Sequence, residues 1–256
     1  MYRIIAGIPQ STSKISRMDN QPRVLCVIPA RGGSKSVPKK NLKNFCGKPL
    51  VAWPIEVAKS CAFITTVVCS SDDEEILITA KKFGAEVRTR PAHLATDEAA
   101  SPPVVLDVID TLEKEGAYFD YVFMLEATSP LTESSDLSDA FFLLLSKSDT
   151  FDSLVSVSQS ISGHPDFTFT VSQDFSLTSI NQLDWRVKRR QDISQLYFIE
   201  GSLYLSKISS LKASASFVQK NTIGFEVPRE KSFEIDDEID FYILEAIMKY
   251  RRNTHG

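Results

Sequence analysis

The sequence predicts an α/β protein: a mainly parallel sheet with helices on both faces, and a β-hairpin projecting from it. Strand-like apolar runs alternate with helix-periodic segments from residue 24 to about residue 159, the rhythm that crossover connections impose on a parallel sheet. The first run, VLCVIP, is almost continuously apolar, as a strand covered on both faces must be. Further on, FTFTVSQDFSLTSI abandons the rhythm for two-residue alternation on either side of a turn, the pattern of an antiparallel hairpin.

Taken in order, Val24 to Pro29 is the first strand, and a glycine-containing loop follows it. Pro49 opens PLVAWPIEVAKS, whose apolar positions recur at helical spacing although Pro54 restricts the residue before it. ITTVVCS reads as a strand. SDDEEILITAKKFG reads as a helix with Ser71 or Asp72 as its cap, acids in its first turn and Gly84 as its stop. AEVRTR is a strand, SPPVVLDVIDTLEKEG a helix with proline in its first turn, DYVFMLEAT a strand, Ser134 to Ser146 a helix, and DSLVSVSQ the strand that closes the series. In the hairpin, Phe167, Phe169 and Val171 alternate with polar residues before a turn at Gln173 and Asp174. Paired aromatic strands of this kind often complete a partner subunit. QLYFIEGSLYLS and NTIGFEV are strands, and a last helix runs from about Glu238 to Arg251.

The 256 residues suffice for one large domain with a small appendage. Residues 24–256 form that domain, with the hairpin insert at about 160–196, and residues 1–23 read as an N-terminal extension, expected to be disordered. The first 17 residues are a tail or a misassigned start ahead of Met18. Lys and Arg number 29 against 33 Asp and Glu, a net charge of −4, which argues against nucleic acid as a partner. Four cysteines without a CxxC pair suit reduced, buried thiols and a cytoplasmic location. No apolar run approaches the ~18 to 20 residues of a membrane span, and no signal peptide is expected at the N-terminus.

Ligands of open α/β sheets sit beyond the carboxyl ends of the strands, so the loops after Pro29, Ser70, Arg90 and Leu125 are the places to search. In VIPARGGSKSVPKKN the turn Gly32-Gly33-Ser34 offers successive backbone N–H groups, and Arg31, Lys35, Lys39 and Lys40 supply positive charge. The pattern fits a polyphosphate, although it is neither a Walker loop nor GxGxxG, and a solvated basic turn is the competing explanation. In SFEIDDEIDF, Glu234 and Asp236 flank Ile235, so on an extended segment both carboxylates share a side. They suit Mg²⁺ bridging to that polyphosphate, or else helix capping; Asp237 reads as the cap of the last helix.

The strings IPARGGSKSVPKKNL, SSDDEEI, RPAHLATDEAAS, ATSPL, RRQD, EGSLYL and FEIDDEIDF, in that order, resemble the CMP-sialic acid synthetases, the acylneuraminate cytidylyltransferase family, over Val24 to about Tyr250. The resemblance implies a nucleotide-binding α/β sheet whose hairpin is a dimerisation element, and a Mg²⁺-dependent homodimer. Its reaction is attack by the anomeric hydroxyl of a nine-carbon 2-keto sugar acid on the α-phosphorus of CTP, with release of pyrophosphate.

By that resemblance Arg31 and Lys40 are the catalytic cations. Ala30, Gly32, Gly33, Ser34, Lys35, Asn41, Arg90 and Ser101 hold the nucleotide. Glu126, Thr128, Ser129, Arg190, Tyr204 and Phe217 face the sugar acid, and Glu234 and Asp236 bind the metal. Arg90 also reads as an exposed strand end, Ser101 as a helix cap, Arg190 as one of several solvated cations, and Tyr204 and Phe217 as core aromatics. Three positions depart from the family's habit: Ser36 stands where glycine is usual, Glu126 where glutamine is usual, and Glu234 where aspartate is usual. A carboxylate accepts hydrogen bonds without donating them, so the sugar is left open among N-acetylneuraminate, Kdn and the legionaminic and pseudaminic acids. A Kdo-type cytidylyltransferase and an inactive nucleotide-binding or interaction protein are the alternatives.

Overall fold

The computed structural model describes residues 21–96, 98–160, 163–181 and 194–255. Residues 1–20 of the expected extension at 1–23, and Arg190 with its neighbouring cations, lie outside the described residues.

β1 (Val24–Pro29) is buried at all six positions and lies mid-sheet, parallel to β4 (Ile64–Ser71) on one side and β6 (Tyr121–Leu125) on the other. β5 (Glu86–Thr89) extends the sheet beyond β4. Past β6 come β10 (Tyr197–Lys207), β7 (Ser153–Gln159) and β11 (Thr222–Glu226), in the order β11-β7-β10-β6-β1-β4-β5. β10 is antiparallel to both β6 and β7, while β11 is parallel to β7. Six strands therefore point one way, and their carboxyl ends share one edge. Strand order reverses beside β1, so the loops after β1 and β6 are neighbours across a crevice.

The near-continuous hydrophobicity of β1 is explained by its two packed faces. Val24, Cys26 and Ile28 face α1 (Ala52–Ser60), α2 (Glu74–Lys82) and α4 (Ser134–Ser146), joining Ile55, Ile76, Leu137 and Phe141. Leu25 and Val27 face α3 (Ser101–Lys114) and α5 (Ile208–Ser214), joining Val105, Ile109 and Leu211. A smaller core of Val37, Phe45, Leu50, Leu131, Ile235, Phe241 and Leu244 joins the loop after β1 to the acidic segment and to α6 (Glu238–His255). That satellite core decides where the site lies.

Some boundaries differ from expectation. α1 begins at Ala52, not Pro49, which puts Pro54 in its first turn, where a missing N–H costs nothing. The cap of α2 is Asp73: its Oδ1 accepts from Glu75 N at 2.8 Å and Ile76 N at 3.1 Å, whereas neither Ser71 nor Asp72 caps. Gly84 ends the helix region at φ +91°, and Asp237 Oδ1 accepts from Ile239 N at 2.9 Å, capping α6 as expected. β2 (Asn44–Phe45) and β3 (Lys48–Pro49) make a minor ribbon.

The hairpin is present as β8 (Phe169–Val171) and β9 (Leu177–Ser179), a separate antiparallel pair. Phe167 belongs to the 3₁₀ turn before it. Val171, Phe175 and Leu177 are exposed on it. All four cysteines are free, and three are buried; burial pushes the Cys69 thiol up to about 12. No helix among the described residues is long and apolar enough to cross a membrane.

Candidate active site

The chain leaves β1 with Ala30, whose buried N–H donates to Ser70 O at 3.0 Å. In the turn beyond, Gly32 N donates to Asp72 Oδ1 at 2.9 Å and Ser34 N to Gly32 O at 3.1 Å, so two of the amides expected to face a phosphate are engaged within the protein. Glycine is required at 32 because a Cβ there would stand 2.7 Å from Asp73 Cβ; at Gly33 a Cβ would meet nothing within 4 Å. Lys39, at φ 52°, turns its ammonium to Glu75, 2.7 Å away.

Lys40 turns the other way. Its Nζ donates to Ile235 O at 2.8 Å and stands 3.7 Å from Asp236 Oδ1, while Ser36 Oγ donates to Asp236 O. Ile235, fully buried in the satellite core, donates its N–H to Thr128 O at 2.9 Å. Three segments distant in sequence, the glycine turn, the loop after β6 and the acidic couplet, thus meet. Ser36, at a position where glycine is usual, supplies one of the links.

Between them lies a cavity of about 410 Å³. Arg31, Ser34, Lys35, Lys40 and Asn41 line it from the glycine turn, Arg90 and Ser101 from beyond β5, Glu126 and Thr128 from the loop after β6, and Asp236 from the couplet. Asn41 Nδ2 donates to Arg31 O at 2.9 Å, and its buried Oδ1 has no partner among the described residues. Arg90 is 7% exposed rather than a solvated strand end. Its Nη2 donates to Ser70 O at 2.8 Å, its Nε has no partner among the described residues, and burial lowers its pKa against the opposing pull of Asp72. Buried polar atoms without partners are costly, and two of them here border one cavity.

The α3 N-cap is Ala100, not Ser101. Ser101 Oγ donates instead to Glu126 Oε1 at 3.2 Å. Burial pushes the Glu126 carboxyl up to about 6, against that hydrogen bond and the nearby charges of Arg90 and Lys40. Ser129 is buried with an unpartnered hydroxyl. Glu234 rises to about 7, mainly by burial and then through Glu126, Asp236 and Glu200, with Lys40 opposing. The same three glutamates add to burial in pushing Tyr204 up to about 12, but Tyr204, Ser129 and Glu234 are not among the residues lining the cavity. Phe217 does not line the cavity: it is 2% exposed and packs in the core with Leu25 and Val27, its ring 5.5 Å from that of Tyr204.

Two carboxylates, one of them crowded by like charge, suit a hard divalent cation that would relieve the repulsion and take its other ligands from phosphate and water. No group of three or more potential ligand side chains is arranged for a metal among the described residues. Sequence reasoning missed Asp72, which holds the glycine turn, and Glu200, which is 4% exposed with an unpartnered Oε2. Asp72 stands in SSDDEEI, where it reads as a helix cap; nothing in the sequence marks Glu200 as buried.

A family model described as cytidylyltransferase matches residues 25–251. The chain belongs to the cytidylyltransferase family. This cytidylyltransferase, a nucleotidyltransferase by that membership, is 31% identical over 236 residues to the pseudaminic acid cytidylyltransferase of Campylobacter jejuni, covering 90% of this chain and 98% of the relative. It is 30% identical to the CMP-N,N'-diacetyllegionaminic acid synthase of Legionella pneumophila, covering 91% and 99%. With the N-acylneuraminate cytidylyltransferase of Escherichia coli the identity is 28% over 89% of this chain and 52% of the longer relative. Among solved structures, a CMP:2-keto-3-deoxy-manno-octonic acid synthetase complexed with CTP superposes with a TM-score of 0.65 at 16% identity, over 90% of this chain and 99% of that one, a likeness of fold.

Proposed function

We propose that this cytidylyltransferase transfers CMP from CTP to the anomeric hydroxyl of a nine-carbon, sialic-acid-like sugar acid and releases pyrophosphate. One observation carries the proposal: the glycine turn and the acidic couplet meet at one cavity, through Lys40 and Ser36. The sugar oxygen forms a bond to the α-phosphorus as the bond from that phosphorus to the bridging oxygen breaks, a reaction that needs positioning and charge neutralisation more than covalent chemistry.

In this proposal Arg31 and Lys40 offset charge on the reacting phosphates, Ser34 and Lys35 hold the triphosphate, and Asn41, Arg90 and Ala30 address the cytidine. Glu234 and Asp236 would hold a Mg²⁺ ion, whose chemistry there would be charge neutralisation at the triphosphate. Glu126, Thr128, Ser129 and Tyr204 face the sugar. Ser101 acts through Glu126, and Arg190 is retained as the partner of the sugar's carboxylate. The match to pseudaminic and legionaminic relatives over nearly their whole length supports trying those two sugars first, ahead of N-acetylneuraminate and Kdn.

The test is pyrophosphate release from CTP and Mg²⁺ across those four acids and Kdo. Turnover with a nine-carbon acid, lost in Arg31→Ala, is the expected result; folded protein that is silent with all of them rejects the proposal. We further propose a cytoplasmic homodimer in which a second copy covers Val171, Phe175 and Leu177, and the exposed Phe198 and Ile199. Sedimentation of Phe175→Asp tests this, a monomer being expected.

A further inference from the structure

Three residues before the acidic couplet, Lys231 belongs to an ion cluster that the proposed chemistry does not use. Lys231 is 4% exposed and Asp136 2% exposed. Lys231 Nζ donates to Asp136 Oδ1 at 2.7 Å, to Asp136 Oδ2 at 2.6 Å and to Glu133 Oε2 at 2.8 Å. Arg251 Nη2 reaches the other oxygen of Glu133 at 2.7 Å, tying in α6. Asp136 Oδ2 also accepts from Glu133 N at 2.8 Å, closing the capping box of α4.

Burying an ammonium and a carboxylate is expensive, and an apolar pair of similar size often serves stability as well or better. What ions add is direction: hydrogen bonds fix the ends of two segments where packing alone lets them slide. The two segments joined here are significant. One runs from Glu126 through Thr128 and Ser129 into the α4 cap at Glu133; the other leaves Lys231 and reaches Glu234 three residues later. They touch again where Ile235 N donates to Thr128 O at 2.9 Å.

We propose that Lys231 is a positioning residue for the acidic couplet: clamped by Asp136 and Glu133, it sets the positions of Asp236, which lines the cavity, and of Glu234, packed against Gly201, and so how well they hold a divalent cation. The proposal rests on the assignment of Glu234 and Asp236 as the metal pair. Burial works against the ammonium, and Asp136 and Glu133 more than offset it, so Lys231 stays charged.

The experiment titrates CTP into the protein by calorimetry, in EDTA and in graded Mg²⁺, and measures turnover against Mg²⁺ in parallel. Lys231→Met/Asp136→Asn removes both charges of the buried pair together, and Glu133 keeps Arg251. Glu133→Gln is the milder change at a half-exposed site, and Lys212→Met, which breaks contacts to Asp110 and Glu113 on α3, is the distant control. The double variant is expected to raise the half-saturating Mg²⁺ at least about 10-fold, in line with losses at partners behind metal ligands, with metal-free CTP binding unchanged. Glu133→Gln shifts it less in the same direction, and Lys212→Met leaves it at the wild-type value.

A folded double variant with wild-type Mg²⁺ dependence overturns the proposal, as does a loss that merely follows the unfolded fraction. If the double variant does not fold, an unshifted Glu133→Gln overturns it equally. Wild-type protein whose CTP binding and turnover ignore Mg²⁺ would reject the metal pair itself, a different and recognisable failure.

Discussion

Replacing Gly201 by alanine tests the location of the acidic couplet with one methyl group. Gly201 sits in β10 at φ +91°, where an L residue is strained, and a Cβ there would overlap Glu234 Oε1 and stand 3.3 Å from its Cδ. The backbone strain costs about 1–2 kcal/mol, which for a chain of this size lowers Tm by roughly 2 to 8 °C. The overlap is relieved differently: the carboxylate is the far end of a flexible side chain, so it swings away by about 1 Å to restore ordinary contact. Stability therefore registers only the strain, while the metal dependence registers the displacement. Thermal melts and turnover against Mg²⁺ separate the two, and the expected outcome is a modest fall in Tm with a rise of about 10-fold or more in half-saturating Mg²⁺. A variant with the predicted fall in Tm and an unchanged Mg²⁺ curve would refute the placing of the cation at Glu234.

Three further outcomes are expected. Because burial holds Glu234 near 7 and Glu126 near 6, above the usual 4.5, the folded, metal-free protein keeps protons that the unfolded chain has released. Stability should therefore rise as pH falls from about 7 toward 4.5; denaturant unfolding at pH 5.5 and 8 checks it, and Glu234→Gln should flatten the difference. Phe217→Ala should cost about 3–5 kcal/mol as a core truncation, measured by denaturant unfolding, while kcat/KM of the folded fraction stays near wild type. Glu126→Gln restores a donor where the protein has only an acceptor, so the ranking of sugar acids in the pyrophosphate assay should change more than the KM for CTP.

Much of the fold was legible because it is written in local periods. The doubly packed β1, the helix at 134–146 and the hairpin turn at Asp174 all follow from runs of thirteen residues or fewer. The direction of β10 was not, since an apolar run such as YFIEGSLYL reads the same whichever way it enters a sheet. α5 is too short, at seven residues, to show a helical period. In SSDDEEI several residues are able caps, and only the entry angle of the chain chooses Asp73, leaving Asp72 for Gly32.

At the site, the glycine turn and the couplet could be read because their residue types are unusual in combination. Their meeting could not: it depends on Val37 and Ile235 sharing a core. Glu200, Lys231 and Asp136 are missed for one reason, that a charged residue carries no mark of its burial. Phe217 shows the converse, an aromatic whose sequence neighbourhood does not tell a pocket wall from the interior.

The place of β10 also governs how the chain matures. Both β6 and β7 wait for it, so a growing polypeptide leaves two strand edges open until residue 207 has emerged. The acidic couplet at Glu234 and Asp236 arrives later still. A ribosome-bound or truncated fragment ending before β10 carries the glycine turn intact but lacks a finished crevice, and its open edges invite aggregation in place of catalysis.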